Sequence, residues 1–419
     1  MIGAAYAAHA FVRTLLRARR LRTRNKLEAW QARRMARWLT DTMTVPAHAA
    51  LRDAITRDGL AALPVLDKEA LRAGFAGYNR LGLDAATAMA MADGHLPPPP
   101  GHSVGASTGT SGARMPYLVS DMERFVWLGT LLAKAIARDV LRRPRVAVVL
   151  PRGSALYDAA NLSRALPLRF VPIGDGMEAM ARKLEGFAPQ VIVAPPRALR
   201  WLVETRACVS PRWLFSAAEV LDPPDRAVIG RGFPGASLGQ IYMATEGLFA
   251  VTCRFGTLHL AEDCVHFELE EAGGGLVSPI VTDFTRRAQV MARFRMNDLL
   301  RLGPPCACGS PLQAVAAVEG RRDDAFEVGG HVITPDVLRD AVLAAATGID
   351  DFRLVQTGPM RACLTLPPHL SAEVAHRAAS AVEAAVARAG GRLAVEVERA
   401  PLAPRADRKL RRVERRWFD

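Results

Sequence analysis

The sequence has few aromatic residues, few cysteines and no long apolar run, and each shortage excludes a class of protein. Aromatic side chains make up 6% of the 419 residues. They do not alternate with the basic runs, as a surface that stacks on nucleic-acid bases requires, so we expect no nucleic-acid partner. Six cysteines in this length do not form a disulfide scaffold. No apolar run reaches the roughly 18–20 residues that span a bilayer.

The chain is also short of acidic residues, and the imbalance is concentrated at its two ends. It has 55 basic and 42 acidic residues, a formal charge of +13. Residues 1–40 carry ten Lys/Arg and a single acid, Glu28, and residues 405–419 carry seven Lys/Arg and three acids. Such ends are either solvated faces or surfaces that attract a phosphate, an anionic membrane or an acidic carrier protein.

The first residues do not resemble an export signal. Residues 1–12 are apolar, but their charges follow the apolar stretch, whereas a secretory signal places charges first. We therefore expect a cytoplasmic protein. The spacing of apolar residues predicts a helix over 5–40, within a basic lead-in at 1–45.

Beyond the proline run at 97–101, strands and helices alternate, which predicts an α/β fold with mainly parallel sheets covered by helices. Short strands with Gly and Pro turns over 240–320 indicate an antiparallel, barrel-like region. Residues 321–419 predict a small, mobile α+β domain, with the boundary near Gly320. The candidate strands of the parallel region are 145–150, 169–173 and 190–194, and the candidate helices are 122–141, 155–166 and 177–186.

The segment from Gly105 to Arg114 combines three glycines with four hydroxyl residues. Glycines permit a tight loop whose backbone N–H groups converge on an anion, and hydroxyl groups donate further bonds, so the segment suits a polyphosphate. It lacks the Lys-Ser/Thr ending of a Walker loop and the G-x-G-x-x-G spacing of a dinucleotide site. A flexible surface loop is the alternative.

A second pattern, G-x-S-x-G at 235–239, matches the nucleophile elbow of serine hydrolases. That elbow requires a buried strand before the serine and a helix after it. Here a probable strand, 240–244, follows the motif instead. We therefore interpret the match as coincidental.

The glycine loop resembles the phosphate loop of the adenylate-forming enzymes, the superfamily of acyl-CoA synthetases. Further segments resemble the motifs of that superfamily in the same order, from about residue 103 to the C-terminus. The chain is most similar to phenylacetate-CoA ligases and coenzyme-adenylating synthetases, and to probable adenylate-forming enzymes of aryl polyene pigment pathways. The similar segments are Ser216–Val220 (adenine contact), Tyr242–Gly247 (Y-x-x-T-E), Arg293–Asp298 (R-Y-R-T-G-D), Gly320–Asp324 (G-R-x-D-D) and Gly330–Pro335.

The resemblance implies an ATP- and Mg²⁺-dependent acid–thiol ligase with an adenylation domain at 1–320 and a lid domain at 321–419. Tyr242 would stack on adenine. Thr245 would bond the α-phosphate, and Glu246 would hold Mg²⁺. Asp298 would accept from the ribose hydroxyls, with Arg321 close by. The remaining nucleotide contacts would be Ser107, Thr108, Gly109, Thr110, Ser111 and Gly112 on the phosphates, and Ala217, Ala218 and Glu219 on adenine.

The superfamily also places a lysine near the C-terminus on the carboxylate and α-phosphate, which implies Lys409 here. Arg408 replaces the usual preceding glycine. Arg114 and Met115 stand where Pro-Lys is usual, and Arg114 could supply the charge on phosphate. The small domain would rotate about Asp323 between the two half-reactions.

Cys306 and Cys308 are close enough in sequence to bind one metal ion, and Cys253 and His259 lie upstream. Three sulfurs and one imidazole form a closed set of the structural zinc type. Cys264 and His266 are alternative ligands, and buried side chains without metal are the other interpretation. The resemblance to phenylacetate-CoA ligase-like proteins supports zinc.

The resemblance to phenylacetate-CoA ligases suggests that the substrate is an aromatic acid. The resemblance to the pigment-pathway enzymes suggests a hydroxybenzoate. The acid pocket would lie among 152–157, 217–219 and 242–247. The thiol acceptor would be CoA or an acyl carrier protein, and a homodimer would be ordinary for the superfamily. Two alternatives remain: adenylyl transfer to a cofactor without a thiol step, or a peripheral membrane or scaffold protein that uses the basic N-terminus.

Overall fold

The computed structural model describes residues 2–107, 114–150, 166–402 and 411–417. Its helices are α1 (Ile2–Arg20), α2 (Arg24–Thr42), α3 (Pro46–Ala49), α4 (Arg52–Asp58), α5 (Lys68–Ala73), α6 (Ala85–Ala92), α7 (Asp121–Ala135), α8 (Met177–Phe187), α9 (Pro196–Glu204), α10 (Pro223–Gly232), α11 (Pro335–Ala344) and α12 (Ala372–Arg388). Short 3-10 helices lie at Gly59–Ala62, Phe75–Tyr78, Ala137–Arg142 and Arg322–Asp324.

The strands pair into one large sheet, two hairpins and a small sheet. They are β1 (His102–Ala106), β2 (Pro116–Ser120), β3 (Val146–Leu150), β4 (Leu168–Pro172), β5 (Val191–Ala194), β6 (Trp213–Ala217), β7 (Ser237–Ala244), β8 (Gly247–Thr252), β9 (Leu258–Leu260), β10 (Val265–Gly273), β11 (Leu276–Asp283), β12 (Phe294–Arg295), β13 (Asp298–Leu302), β14 (Ala314–Arg321), β15 (Phe326–Val328), β16 (His331–Ile333), β17 (Arg353–Gly358), β18 (Arg361–Leu366), β19 (Ala394–Arg399) and β20 (Val413–Arg415).

The large sheet is parallel in one half and antiparallel in the other. Strands β4, β3, β5, β6 and β7 are parallel neighbours. The short valine-rich sequences of β3 and β5 suit strands buried on both faces. From β7 the order continues through β8, β9, β14, β13, β11 and β10 with antiparallel pairing. The direction changes at β7, so the mainly parallel region and the antiparallel region meet there.

The C-terminal region has a core of its own. Strands β19, β18, β17 and β20 form a four-stranded sheet, and α11 and α12 pack together beside it. Phe326, Phe352, Leu364 and Val382 are fully buried in this core. The structure thus has the predicted α/β fold with a small α+β domain at the C-terminus. The exact boundary near Gly320 remains a prediction.

The predicted strands of the parallel region are confirmed as β3, β4 and β5. The single helix predicted over 5–40 is wrong, because the chain forms α1 and α2 with a break between them. Thr23 caps the second helix by accepting a hydrogen bond from the Lys26 N–H, and an N-cap residue requires non-helical backbone. Leu21, in the break, is buried. The helix predicted at 155–166 lies outside the described residues.

The predicted helix at 122–141 corresponds to α7, which ends at Ala135 and continues as a 3-10 turn. Ser120 and Glu123 form a reciprocal capping box at its start. Ser237, in the G-x-S-x-G segment, begins strand β7 directly after α10, so the serine is not on an elbow. None of the described helices is long and apolar enough to cross a membrane.

Candidate active site

A cavity of about 310 Å³ lies at the carboxyl ends of β6 and β7, where the sheet changes direction. Open α/β sheets bind ligands at this kind of position, because the strand ends leave a crevice there. The C-terminal domain covers the cavity from the other side through Arg339 and Arg411. The cavity brings together these predicted residues: Ser107, Ala218, Glu219, Tyr242, Thr245, Glu246, Asp298 and Arg321.

Tyr242 and Asp298 form a hydrogen-bonded pair in the cavity wall. The Tyr242 hydroxyl donates to Asp298 Oδ2 at 2.5 Å, and the Tyr242 ring packs against Phe249 at 5.3 Å between centroids. Burial and the adjacent Asp298 carboxylate raise the pKa of Tyr242 well above its usual value, so Tyr242 remains a donor. This bond fixes the Asp298 carboxylate and leaves its Oδ1 to accept from a ligand.

Thr245 and Glu246 form the two-residue turn between β7 and β8. The Thr245 hydroxyl donates to Glu246 Oε2 at 2.9 Å. The fully buried Arg286 donates to the Thr245 carbonyl oxygen at 2.8 Å and holds the turn in place. A Cβ atom at Gly247 would lie 2.3 Å from Asp283 Oδ2, so a larger residue behind the turn would displace the buried Asp283 carboxylate.

Glu246 has the environment of a cation ligand. The residue is 4% exposed, and no cationic side chain among the described residues pairs with it. A buried carboxylate without a counter-charge is costly, so the position favours an added cation. Mg²⁺ prefers carboxylate and phosphate oxygens, which is the chemistry that Glu246 and a nucleotide would provide.

The ends of the glycine loop are closed by Ser107 and Met115. The Ser107 N–H donates to the Met115 carbonyl at 2.8 Å, and the Met115 N–H donates to Ser107 Oγ at 3.1 Å. Arg114 forms an ion pair with Asp93 at 2.7 Å instead of facing the cavity, because Asp93 follows the last turn of α6 nearby. Of the predicted phosphate contacts, Thr108, Gly109, Thr110, Ser111 and Gly112 lie outside the described residues.

The predicted adenine segment follows the end of β6. Ala218 has φ of +69°, a left-handed conformation that is uncommon for alanine and is found where function constrains the backbone. The Glu219 carboxylate faces Arg197 at 3.1 Å in a fully buried ion pair. Glu219 therefore has a charged protein partner, and any adenine contact from 217–219 would come from the backbone.

Two further cavity residues can contact a ligand, one from the predicted adenine segment and one that the sequence analysis missed. The hydroxyl of Ser216, which begins that segment, is buried and has no hydrogen-bond partner within the described part of the chain, so it can bond a ligand. Lys68, at the start of α5, lines this cavity and an adjoining one of about 1100 Å³. No carboxylate among the described residues pairs with Lys68. A lone lysine outside any motif gives no sequence signal of such a role.

The C-terminal strand β20 lies beside the cavity. Arg411 lines the cavity and pairs with Asp324 at 2.9 Å, and burial raises the pKa of Asp324 to about 6. The next residue, Arg412, is buried and bonds both Asp222 and Asp225 at 2.7 Å. Lys409 lies outside the described residues, two positions before Arg411.

Asn297, which stands where the superfamily pattern has glycine, connects β13 to the predicted hinge. Its side-chain amide donates to the Asp323 carboxylate, and its Oδ1 accepts from the Asp323 N–H at 3.3 Å. The Arg322 N–H also donates to the Asn297 carbonyl at 2.8 Å. Asn297 therefore holds the start of the 3-10 turn that leads into the small domain.

The four predicted metal ligands meet at one point, and none of them lines the cavity described above. Cys253 Sγ lies 3.8 Å from Cys306 Sγ, and Cys308 Sγ lies 3.4 Å from His259 Nε2. All four ligand atoms lie within 4.8 Å of one another. A tetrahedral zinc ion with Zn–S bonds of about 2.3 Å separates two sulfurs by about 3.8 Å, so the sulfur pair has the required spacing.

The second ring nitrogen of His259 has the partner that a zinc ligand needs. His259 Nδ1 lies 3.0 Å from the Leu312 carbonyl oxygen, which leaves Nε2 facing the cysteines as a ligand atom. The alternative ligands Cys264 and His266 are not part of the cluster. Cys264 is buried beside Arg17, and burial raises its pKa to about 11.

Sequence comparison finds no match, either to a protein-family model or to a curated protein. Solved structures do match in fold. 2-Hydroxyisobutyryl-CoA ligase in the postadenylation state, in complex with 2-HIB-AMP, aligns with a TM-score of 0.68 and 17% identity over 93% of this chain and 89% of the ligase. The same ligase with 2-HIB-AMP and CoA in the thioesterification state aligns with a TM-score of 0.51 and 19% identity, over 94% of this chain and 90% of the ligase.

A benzoate CoA ligase from Burkholderia xenovorans LB400 aligns with a TM-score of 0.53 and 14% identity, over 71% of this chain and 66% of the ligase chain. At these identities the likeness shows the fold. The chain thus has the fold of acyl-adenylate-forming CoA ligases, including the separate C-terminal domain.

Proposed function

We propose that the protein is an ATP-dependent carboxylate ligase that forms an acyl-adenylate and passes the acyl group to a thiol. One observation carries this proposal: Ser107, Glu246 and Asp298, from three distant parts of the chain, line a single cavity beneath the C-terminal domain. A polyphosphate loop, a buried carboxylate and a ribose acceptor are the parts that binding ATP requires. The shared fold of CoA ligases supports the same conclusion.

In the first step a carboxylate oxygen of the substrate attacks the α-phosphorus, and the bond to pyrophosphate breaks. The Thr245 hydroxyl donates to Glu246 in this structure. When Glu246 holds the metal ion, the hydroxyl would turn and donate to the α-phosphate oxygen on which negative charge builds, while Arg286 keeps the turn in place. Mg²⁺ bound by Glu246 would neutralise phosphate charge. Asp298 fixes the ribose, and Tyr242 presents its ring to adenine.

In the second step a thiol attacks the acyl carbonyl carbon, the thiol proton is lost and AMP leaves. We assign Lys409 to the carboxylate and α-phosphate in the first step, because Arg411, two residues later, already lines the cavity. Rotation of the small domain about Asp323 would then remove Lys409 and admit the thiol. Arg321, next to Asp323 and lining the cavity, would contact the ribose and phosphate in the closed arrangement.

We also propose that Cys253, His259, Cys306 and Cys308 bind one structural zinc ion. The support is the sulfur spacing of 3.8 Å and the fixed orientation of His259. Four protein ligands complete a tetrahedron and leave no open position for substrate, so the ion would stabilise the fold and not take part in the reaction.

For the substrate we propose an aromatic acid such as a hydroxybenzoate, and for the acceptor CoA or an acyl carrier protein in a cytoplasmic setting. The predicted pocket segment 152–157 lies outside the described residues, so the proposal rests on sequence resemblance. Homodimer formation and contact of the basic N-terminus with membranes remain predictions.

Carboxylate-dependent exchange of pyrophosphate into ATP, over a panel of aryl and fatty acids, tests the function. We expect exchange with at least one aryl acid. Asp298→Asn should raise the KM for ATP by about 10- to 100-fold, since bonds to a charged acceptor are each worth about 1.5–3 kcal/mol. Tyr242→Phe, which keeps the ring, should raise it less. Absence of exchange with every acid and intact folding would refute the proposal.

A further inference from the structure

A groove of about 530 Å³ between α1 and α2 lies outside the proposed active site. Helix α1 contributes Arg13, Arg17 and Arg20 to its lining. Their spacing of four and three residues places them on one face of the helix. The facing helix contributes Lys26, Arg33, Arg34 and Arg37. No acidic residue lines the groove.

Most of these cations have no carboxylate partner among the described residues. Two are engaged: Arg17 bonds the Asp263 carbonyl at 2.5 Å and pairs with the Asp263 carboxylate at 3.5 Å, and Arg34 bonds the Phe284 carbonyl at 3.1 Å. The other lining cations are exposed, and among the described residues none of them pairs with a carboxylate. The positive charge of these five cations is therefore available to a partner. Burial, and after it the charges of Arg287, Arg17 and Arg13, lower the pKa of Arg34.

The dimensions of the groove suit a helix. From Lys26 to Arg37 the helix rises about 16 Å, the length of about three turns of a partner helix. Carboxylates spaced at i and i+4 on that partner would meet cations spaced in the same way on both walls. Trp30 lines the groove, with the Arg17 guanidinium 5.3 Å from its ring. Tryptophan and arginine are the residue types that carry most energy in protein interfaces.

A membrane fits this surface less well. A helix that lies in the lipid interface needs a broad exposed apolar face. The described structure has no large, exposed apolar side chain on α2, and those on α1 are limited to Tyr6, Val12 and Leu16. The rest of the apolar surface of the pair packs against the protein, as α1 does against α7.

We infer that the groove between α1 and α2 is a docking site for an acidic helix of a partner protein. Recognition would use paired arginine–carboxylate contacts with the cations of both helices, and Trp30 would add apolar contact. Because several cations line the groove, the site favours a helix with several carboxylates over a single point charge.

The test uses the full-length protein and a synthetic 15-residue helical peptide with glutamates at i and i+4, and a peptide with glutamines in their place. The triple variant Arg13→Gln/Arg33→Gln/Arg37→Gln removes three groove cations. The matched control, Arg19→Gln/Arg182→Gln/Arg388→Gln, removes the same charge from exposed positions outside the groove. Fluorescence anisotropy measures the dissociation constant of each pair.

We expect the glutamate peptide to bind, the glutamine peptide not to bind, and the groove variant to bind about tenfold more weakly at low salt. The control variant should stay within about twofold of the unmodified protein. The inference would be overturned if the groove variant and the control variant bound the glutamate peptide equally weakly, or if the unmodified protein did not bind that peptide. Stronger binding to phosphatidylserine vesicles that the same three substitutions abolish would also overturn it. Pyrophosphate exchange reports separately on the proposed function, since the groove residues lie outside the nucleotide cavity.

Discussion

At the scale of single residues, the candidate site depends on side chains that sequence motifs reveal and on others that they do not. The Y-x-x-T-E segment predicted Tyr242, Thr245 and Glu246 as site residues, because the motif fixes their positions relative to one another. Arg286 gave no signal, because an arginine in a sequence is ordinarily an exposed residue. The structure shows it fully buried, with bonds that hold the Thr245 turn. Such support depends on contacts between distant segments, which spacing along the chain does not encode.

Lys68 supplies the first prediction at this scale. It lines the proposed nucleotide cavity without a carboxylate partner among the described side chains, whereas Arg114 is engaged by Asp93. We expect Lys68→Ala to raise the KM for ATP about five- to tenfold in the exchange assay, because a charge on phosphate contributes about 1 kcal/mol when partly exposed. Lys183→Ala is the control, since Lys183 pairs with Asp175 on the surface. Equal KM values for the two variants would contradict the assignment.

Asp283 supplies a prediction about pH. Burial raises its pKa to about 6 from 3.8, so the folded protein holds the proton more tightly than the unfolded chain does. Below about pH 4 the Asp283 carboxyl is protonated in both the folded and the unfolded protein. Above about pH 6 it is ionised in both, and the folded protein then bears the full cost of the buried charge. The contribution of Asp283 to stability therefore falls as pH rises from about 4 to about 6.

Asp283→Asn removes this titration while Asn can still accept the bonds from Thr285. Relative to the unmodified protein, the variant should gain stability between pH 4 and pH 6, by at most about 3 kcal/mol. Urea unfolding at several pH values measures the difference. Asp58→Asn, at an exposed position, should show no such trend. A difference that does not change with pH would show that Asp283 titrates normally.

At the scale of elements, strands and helices of the parallel region were predictable, because buried strands and amphipathic helices have different periods. The break between α1 and α2 was not, because the basic, alanine-rich sequence favours helix on both sides of Thr23. The Thr23 cap marks the start of α2, and tertiary contacts fix the direction of both helices: Arg17, Trp30 and Gln31 bond the backbone of residues 262–263. The turn lets both helices pack on the same protein surface.

The Cys/His cluster is an element-scale feature too, because it joins the β8–β9 turn to the segment between β13 and β14. Only a few backbone bonds hold these short segments, so a metal ion would contribute much of their stability. We expect one zinc per chain by metal analysis. Cys306→Ser and Cys308→Ser should abolish it and lower the melting temperature, whereas Cys363→Ser, at a site outside the cluster, should retain both. Purified protein without stoichiometric zinc would refute the site.

At the scale of the whole molecule, buried ion pairs hold the C-terminal domain on the cavity. Arg412 bonds Asp222 and Asp225, each at 2.7 Å, and Arg339 bonds Glu319 at 2.9 Å. The resemblance predicted a mobile lid but gave no indication of these contacts, since each joins residues more than fifteen positions apart.

The last prediction follows from how buried charges behave when one partner is lost. Arg412→Gln would leave Asp222 and Asp225 with only their longer contacts to Arg339 and Arg200, at 3.5 Å and 3.4 Å. Breaking a buried ion pair costs up to about 3–5 kcal/mol, and opening the domain interface returns both carboxylates to water. We therefore expect this variant to show a larger radius of gyration by X-ray scattering and at least tenfold slower pyrophosphate exchange. Adding Asp225→Asn removes one of the two buried carboxylates that lost Arg412. The double variant should therefore recover part of the compact shape and part of the exchange rate.

Arg416→Gln provides the matched comparison, because Arg416 lies in the same terminal segment but pairs with Glu414 at the surface. Surface pairs contribute about 0–1 kcal/mol, so this variant should keep the compact shape and the exchange rate. Circular dichroism separates domain opening from unfolding, since opening leaves the helical signal unchanged. If Arg412→Gln keeps the original radius and rate, the ion pairs do not control closure, and apolar packing between the domains must hold the lid.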